Sequence, residues 1–112
     1  MDKVVTLVKK VLNDHKAEDI QIIDVTERTP FADFYVLASA TNIRQLNALA
    51  DAIIEELAKK KIPYSHKEGT PESGWILVDA YHVNKNHTIV NIFTKEERER
   101  VSIEELFTKA KK

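Results

Sequence analysis

Apolar residues recur along this chain in two different periods, and the switches between them mark out its elements. Val4, Leu7, Val8, Val11 and Leu12 follow helical spacing, which predicts a short amphipathic helix. Ile20, Ile22, Ile23 and Val25 are β-branched and apolar on both faces, which predicts a buried strand over 20–25. Thr26 to Pro30 reads as a loop, with Pro30 holding Thr29 extended. Asp33 to Ser39 contains the almost unbroken apolar run Phe34-Tyr35-Val36-Leu37-Ala38, as expected for a strand in the middle of a covered sheet.

The clearest element follows Thr41 and Asn42. Ile43, Leu46, Leu49, Ala50, Ile53, Ile54 and Leu57 fall on one stripe, with Arg44, Gln45, Asp51, Glu55 and Glu56 largely outside it. Asn42 and Gln45 have capping-box spacing at its start, and Pro63 stops it near Lys61. Lys59, Lys60 and Lys61 then read as cations complementing the helix C-terminus. Tyr64 to Glu68 predicts a short polar edge strand, and 69–74 a loop with turn residues Pro71 and Gly74. From Trp75 to Tyr81 the chain alternates. Trp75, Leu77, Asp79 and Tyr81 point one way, Ile76, Val78 and Ala80 the other. With a turn at Asn84-Lys85-Asn86 and a returning strand over 88–93, this predicts a β-hairpin. Thr94 and Glu97 form a capping box opening a short helix, and Ser102 and Glu105 repeat it before Leu106 and Phe107.

The expected architecture is α/β, a single mixed β-sheet of about five strands with helices packed on it and the long helix as crossover. The length, 112 residues, fits a single domain spanning 1–112. Seventeen basic and 18 acidic side chains leave a formal net charge of -1, without the basic excess of a phosphate-binding surface, so a protein partner is favoured over nucleic acid readout. The absence of cysteine excludes disulfides, thiolate metal sites and cysteine nucleophiles. Asp2 and Lys3 precede only short apolar runs, so neither a signal peptide nor a membrane anchor is expected, and the cytoplasm follows by default.

Candidate chemistry is sparse. His15, His66, His82 and His87 lack metal-ligand spacing, so no metal site is expected. Metal-dependent nucleotidyl transfer needs paired carboxylates, and the second strand offers Asp33 alone; the helix start at Asn42 retains some anion-binding character. Ser39, Ser65, Ser73 and Ser102 lack a nucleophile-elbow context. Asp33, Asp79 and Glu68 could approach across the sheet, where a loop-capping role is the ordinary one. Trp75, Tyr81 and Phe93, followed by Glu96, Glu97, Arg98 and Arg100, have the composition of a protein-binding surface. From the residues alone, a binding module is favoured over an enzyme.

One ordered set of short motifs adds to this. It runs through Asp19-Ile20-x-x-Ile23-Asp24-Val25, Ala32-Asp33-Phe34-Tyr35-Val36, Arg44-Gln45, Ala48-x-Ala50-Asp51, Glu68-Gly69, Gly74-Trp75-Ile76-Leu77-Val78-Asp79, Val90-x-Ile92-Phe93-x-x-Glu96-x-Arg98 and Leu106-Phe107. In these the chain resembles the ribosomal silencing factor family, also called Iojap-like, over nearly its whole length. The resemblance implies a nucleotidyltransferase-like core without catalytic carboxylates and no cofactor. It implies binding to the large ribosomal subunit through ribosomal protein uL14, beside an intersubunit contact, so that joining of the small subunit is blocked and translation falls under starvation or stationary phase. In organelle relatives the same surface serves large-subunit assembly, and family members tend to form homodimers. The docking face it implies includes Glu68, Gly74, Trp75, Asp79, Phe93 and Arg98, with Trp75 as apolar anchor. The chain departs from the family pattern at Asn91 (usually His), Val101 (usually Tyr) and Phe107 (usually Trp), and in a hairpin from Asp79 to Phe93 that is several residues longer.

Overall fold

The computed structural model describes residues 3–27, 30, 32–62, 64–81 and 87–102. The hairpin tip with its Asn84-Lys85-Asn86 turn, His82, Thr29, Pro63 and the final turn with Leu106 and Phe107 lie outside the described residues. The elements are helix α1 (Lys3–Asp14), strands β1 (Glu18–Asp24) and β2 (Ala32–Ala40), helix α2 (Ile43–Lys59), strand β3 (Tyr64–Glu68), a 3₁₀ turn at Pro71–Ser73, strands β4 (Trp75–Tyr81) and β5 (His87–Thr94), and helix α3 (Lys95–Val101).

The strands form one mixed sheet in the order β1-β2-β5-β4-β3. β2 runs parallel to β5, with Val36 opposite Val90 and Ala38 opposite Ile92, and the other neighbours are antiparallel. α2 is the crossover from β2 to the far edge, and the hairpin of β4 and β5 fills the gap between. This order corrects one expectation. The run at Ile20–Val25 predicts a strand buried on both faces, yet β1 is an edge strand with Ile20, Ile22 and Ile23 only half-buried. A bulge at its start, with Asp19 at φ 49°, adds one residue between Glu18 and Gln21 relative to β2.

The main core lies between one sheet face and the two long helices. Val4, Val8, Val11 and Leu12 of α1 and Leu46, Leu49, Ala50, Ile53 and Leu57 of α2 pack on Val36, Ala38, Ile76, Val78, Val90 and Ile92. The alternation expected in β4 holds: Ile76, Val78 and Ala80 are buried beneath the helices. Ile43, expected on the buried stripe of α2, is 47% exposed, because it stands at the first residue of the helix beyond the edge of the core.

Both long helices end in the same way, and neither uses glycine. Lys16 (φ 67°) and Lys61 (φ 58°) turn left-handed, while Ala17 N–H donates to Leu12 O at 2.9 Å and Ile62 N–H to Leu57 O at 2.8 Å. The start of α2 is clasped to the end of α1. Asn42 Oδ1 accepts from Gln45 N–H at 2.8 Å, as the spacing predicts. The Gln45 side chain reaches further than a capping box requires: its Oε1 accepts from Thr41 N–H at 2.6 Å, and its Nε2 donates to the carbonyls of His15 and Lys16 at 3.2 Å each.

Candidate functional site

With α1 and α2 on one side of the sheet, its other face is only partly covered by the described residues. α3 and Val101 close one end, over a small second core of Leu37 and Phe93 against which Ile23 and Trp75 pack. Pleat alternation then leaves Tyr35, Leu77 and Ile89 half-buried on this face, with Trp75 and Asp79.

Trp75 opens β4 directly opposite Phe93 on β5, and their ring centroids are 4.9 Å apart at 34°. Its indole Nε1–H donates inward, to Asn91 Oδ1 at 3.0 Å. That bond fixes the Asn91 amide. Asn91 is itself buried, and its Nδ2 has no hydrogen-bond partner among the described residues.

The loop before Trp75 is held by its own side chains. Thr70 and Ser73 cap each other, Thr70 Oγ1 accepting from Ser73 N–H at 3.3 Å and Ser73 Oγ from Thr70 N–H at 3.4 Å. Gly74 (φ 79°) ends the turn, and its carbonyl accepts from Thr94 N–H at 2.8 Å. That bond takes the donor which a full capping box at Thr94 would use, so Thr94 Oγ1 still accepts from Glu97 N–H while the Glu97 carboxylate turns to Arg100. Ser102 ends α3 in the left-handed region, and the final turn expected after it lies outside the described residues. Between this loop, β4 and α3 lies a cleft of about 270 Å³ lined by Glu68, Gly69, Ser73, Trp75, Leu77 and Glu97.

Of the six residues that the resemblance assigns to docking, Glu68, Trp75 and Asp79 reach the surface. Gly74, Phe93 and Arg98 are buried. Phe93 is 0% exposed beneath Trp75. Arg98, 8% exposed, points inward, where its Nη1 donates to Asp19 O at 2.7 Å and to Ser39 Oγ at 2.9 Å. It ties α3 to the bulge of β1 and to β2. Asp79 Oδ1 meets His87 Nδ1 at 2.6 Å across the hairpin, a pair visible only once the hairpin register is known. Glu97 belongs to the charged run that the sequence marks as part of a binding surface, whereas Leu77 had no signal as a site residue beyond the alternation of β4, and Ser73 was weighed only as a nucleophile.

The nucleotide-binding alternative needs Asp33 near the start of α2. Asp33 lies at the beginning of β2 and Asn42 just past its end, and the strand from Asp33 to Ala40 alone spans roughly 23 Å at about 3.3 Å per residue. No three of the described His, Asp and Glu side chains gather as a metal site, and no described helix is long and apolar enough to cross a membrane.

Two helices on one side of a five-stranded mixed sheet, and an aromatic half-open face on the other, define a small α/β protein with a one-sided sheet. The family profile described as "Ribosomal silencing factor during starvation" matches residues 1–112, and the chain belongs to that family of ribosome-associated regulatory factors. The ribosomal silencing factor of Bacillus subtilis is 30% identical over 95 residues, covering 85% of this chain and 76% of that one. The mouse protein named "Mitochondrial assembly of ribosomal large subunit protein 1" is 25% identical over 107 residues, 93% of this chain and 45% of its own length. A crystal structure of a Chromobacterium violaceum protein superimposes with a TM-score of 0.85 at 26% identity, covering 95% of this chain and 86% of that one.

Proposed function

We propose that this chain, acting as a single domain in the cytoplasm, binds the large ribosomal subunit through ribosomal protein uL14 and sterically blocks association with the small subunit, repressing translation under starvation or stationary phase. The observation that carries this reading is the half-open sheet face, where Trp75, Leu77, Tyr35 and Ile89 lie half-buried beside Glu68 and the Asp79–His87 pair. A small domain covers such a face or uses it, and aromatic anchors within a polar rim are what protein interfaces use. Glu68, Trp75 and Asp79 make the contact in this reading, and Gly74, Phe93 and Arg98 hold them in place.

The mechanism is competition for space, with no cofactor, metal or covalent step. A factor present at about ten times its Kd occupies roughly nine-tenths of the free large subunits and withdraws them from joining. Cosedimentation with separated subunits tests the docking, and light scattering on mixing the subunits tests the block. Trp75→Ala is expected to weaken large-subunit binding by about 2 kcal/mol or more. A folded Trp75→Ala protein that sediments like wild type refutes the assigned face.

The name of the mouse relative supports a second reading, a role in large-subunit assembly. Gradient profiles separate the two: loss of an assembly factor leaves immature particles, whereas loss of a silencer leaves unregulated joining. A homodimer follows from the family resemblance, and sedimentation equilibrium measures it.

A further inference from the structure

We propose that the cleft between β4, the 69–74 loop and α3 is a socket for one arginine side chain of the docking partner, laid along the Trp75 indole with its guanidinium between Glu68 and Glu97. The inference rests on the docking reading above and names the chemistry that the face takes.

Four observations carry it. The cleft of about 270 Å³ is smaller than the usual cofactor or drug-sized pocket and suits one side chain. Its apolar part is Trp75 and Leu77, and carboxylates stand at Glu68 and Glu97. The indole N–H is bonded to Asn91, and the half-buried ring lines the cleft, where a guanidinium can stack on it. Glu97 already recognises a guanidinium bidentately: Arg100 Nε and Nη2 donate to its Oε1 and Oε2 at 3.0 and 2.5 Å. The Arg100 side chain is 71% exposed and that of Glu97 18%, so the internal partner stands on the solvent side of the carboxylate and leaves it lone pairs for a second donor. Arg100 is in this view a competitor for the socket. The other cations of α3 are engaged elsewhere: Lys95 pairs with Glu18 at 2.6 Å, and Arg98 points inward.

Trp75 is the sole tryptophan of the chain and reports occupancy directly. Its emission is titrated with an acetylated Gly-Arg-Gly amide and with the isosteric citrulline peptide, which lacks the charge. The arginine peptide is expected to shift the emission saturably and the citrulline peptide not to. The response should vanish in E68Q/E97Q and strengthen in R100Q, a gain that general loss of structure would not produce. Large-subunit affinity should fall about fivefold per carboxylate removed, with a shallower salt dependence. Identical responses to the two peptides, or an unchanged response in a folded E68Q/E97Q protein, overturn the socket. Should wild type discriminate the peptides but ignore large subunits, the docking reading falls and the socket stands. Should E68Q/E97Q sediment with large subunits as wild type does and neither protein discriminate the peptides, the socket falls and docking stands.

Discussion

Replacing Arg98 with alanine separates the two roles this residue could have. The resemblance places it against the partner, and the structure places its guanidinium against Asp19 O and the buried Ser39 hydroxyl. Hydrogen bonds from a charged donor contribute about 1.5–3 kcal/mol each, and truncation leaves two acceptors to be met by water that must enter beside α3. The apolar stem is lost as well. Part of this is offset, because a guanidinium need no longer be taken from bulk water. A net loss of about 3 kcal/mol is expected, which for a domain of this size lowers Tm by about 10 °C. Urea unfolding of wild type, Arg98→Ala, Ser39→Ala and the double variant measures it. A coupling of at least about 0.5 kcal/mol between the two positions is expected from direct contact. Arg98→Lys keeps the charge but not the fork, and should recover only part of the loss. If Arg98→Ala unfolds like wild type and loses only large-subunit binding, the inward role is wrong and the side chain belongs to the docking face.

Gly69→Ala should cost about 3 kcal/mol in chemical denaturation, because Gly69 has φ 92° and a Cβ there would stand 2.1 Å from the Trp75 carbonyl oxygen; a loss below about 1 kcal/mol would show that the loop gives way freely. Asn91→Leu removes a buried amide nitrogen without a partner among the described residues but also the acceptor of the Trp75 N–H. These effects oppose each other, so stability should change by less than about 1 kcal/mol while the Trp75 emission shifts as its N–H is freed. Acid should weaken the fold. Hydrogen bonds from Lys10 to Asp14, from Thr26 to Asp24 and from Arg100 to Glu97 hold these carboxyls below their usual pKa values. The stability they supply is present above the unfolded carboxylate pKa and lost as pH falls, between about pH 5 and 3, where urea midpoints should drop and drop less in Asp24→Asn. A midpoint constant through that window refutes the linkage.

The elements were largely legible because their signals are local. Asn42 and Thr94 cap the helices that their spacing announces, and the alternation along β4 sorts the side chains of 75–80 as expected. The anchor role of Trp75 came from the family resemblance alone, since the residues by themselves left open a place beneath the long helix; the structure puts its ring on the opposite sheet face, against Phe93. The limits of that reasoning lie in pairing. A strand rich in isoleucine looks the same at the edge of a sheet as at its middle, and β1 became an edge only because the β4–β5 hairpin inserts beside β2.

Local sequence therefore settles which segments are helix or strand and which two faces each strand presents, since periodicity and capping act over a few residues. It cannot say which face the helices cover or what lies beneath a given side chain. Those depend on contacts between distant segments: Arg98 is drawn inward by Asp19, 79 residues away, and by Ser39, 59 away. Phe93 and Asn91 disappear under an indole whose strand pairs with theirs. Tertiary packing decides such placements because burying apolar area is non-directional, and only the assembled sheet determines where that area and the charges around it meet.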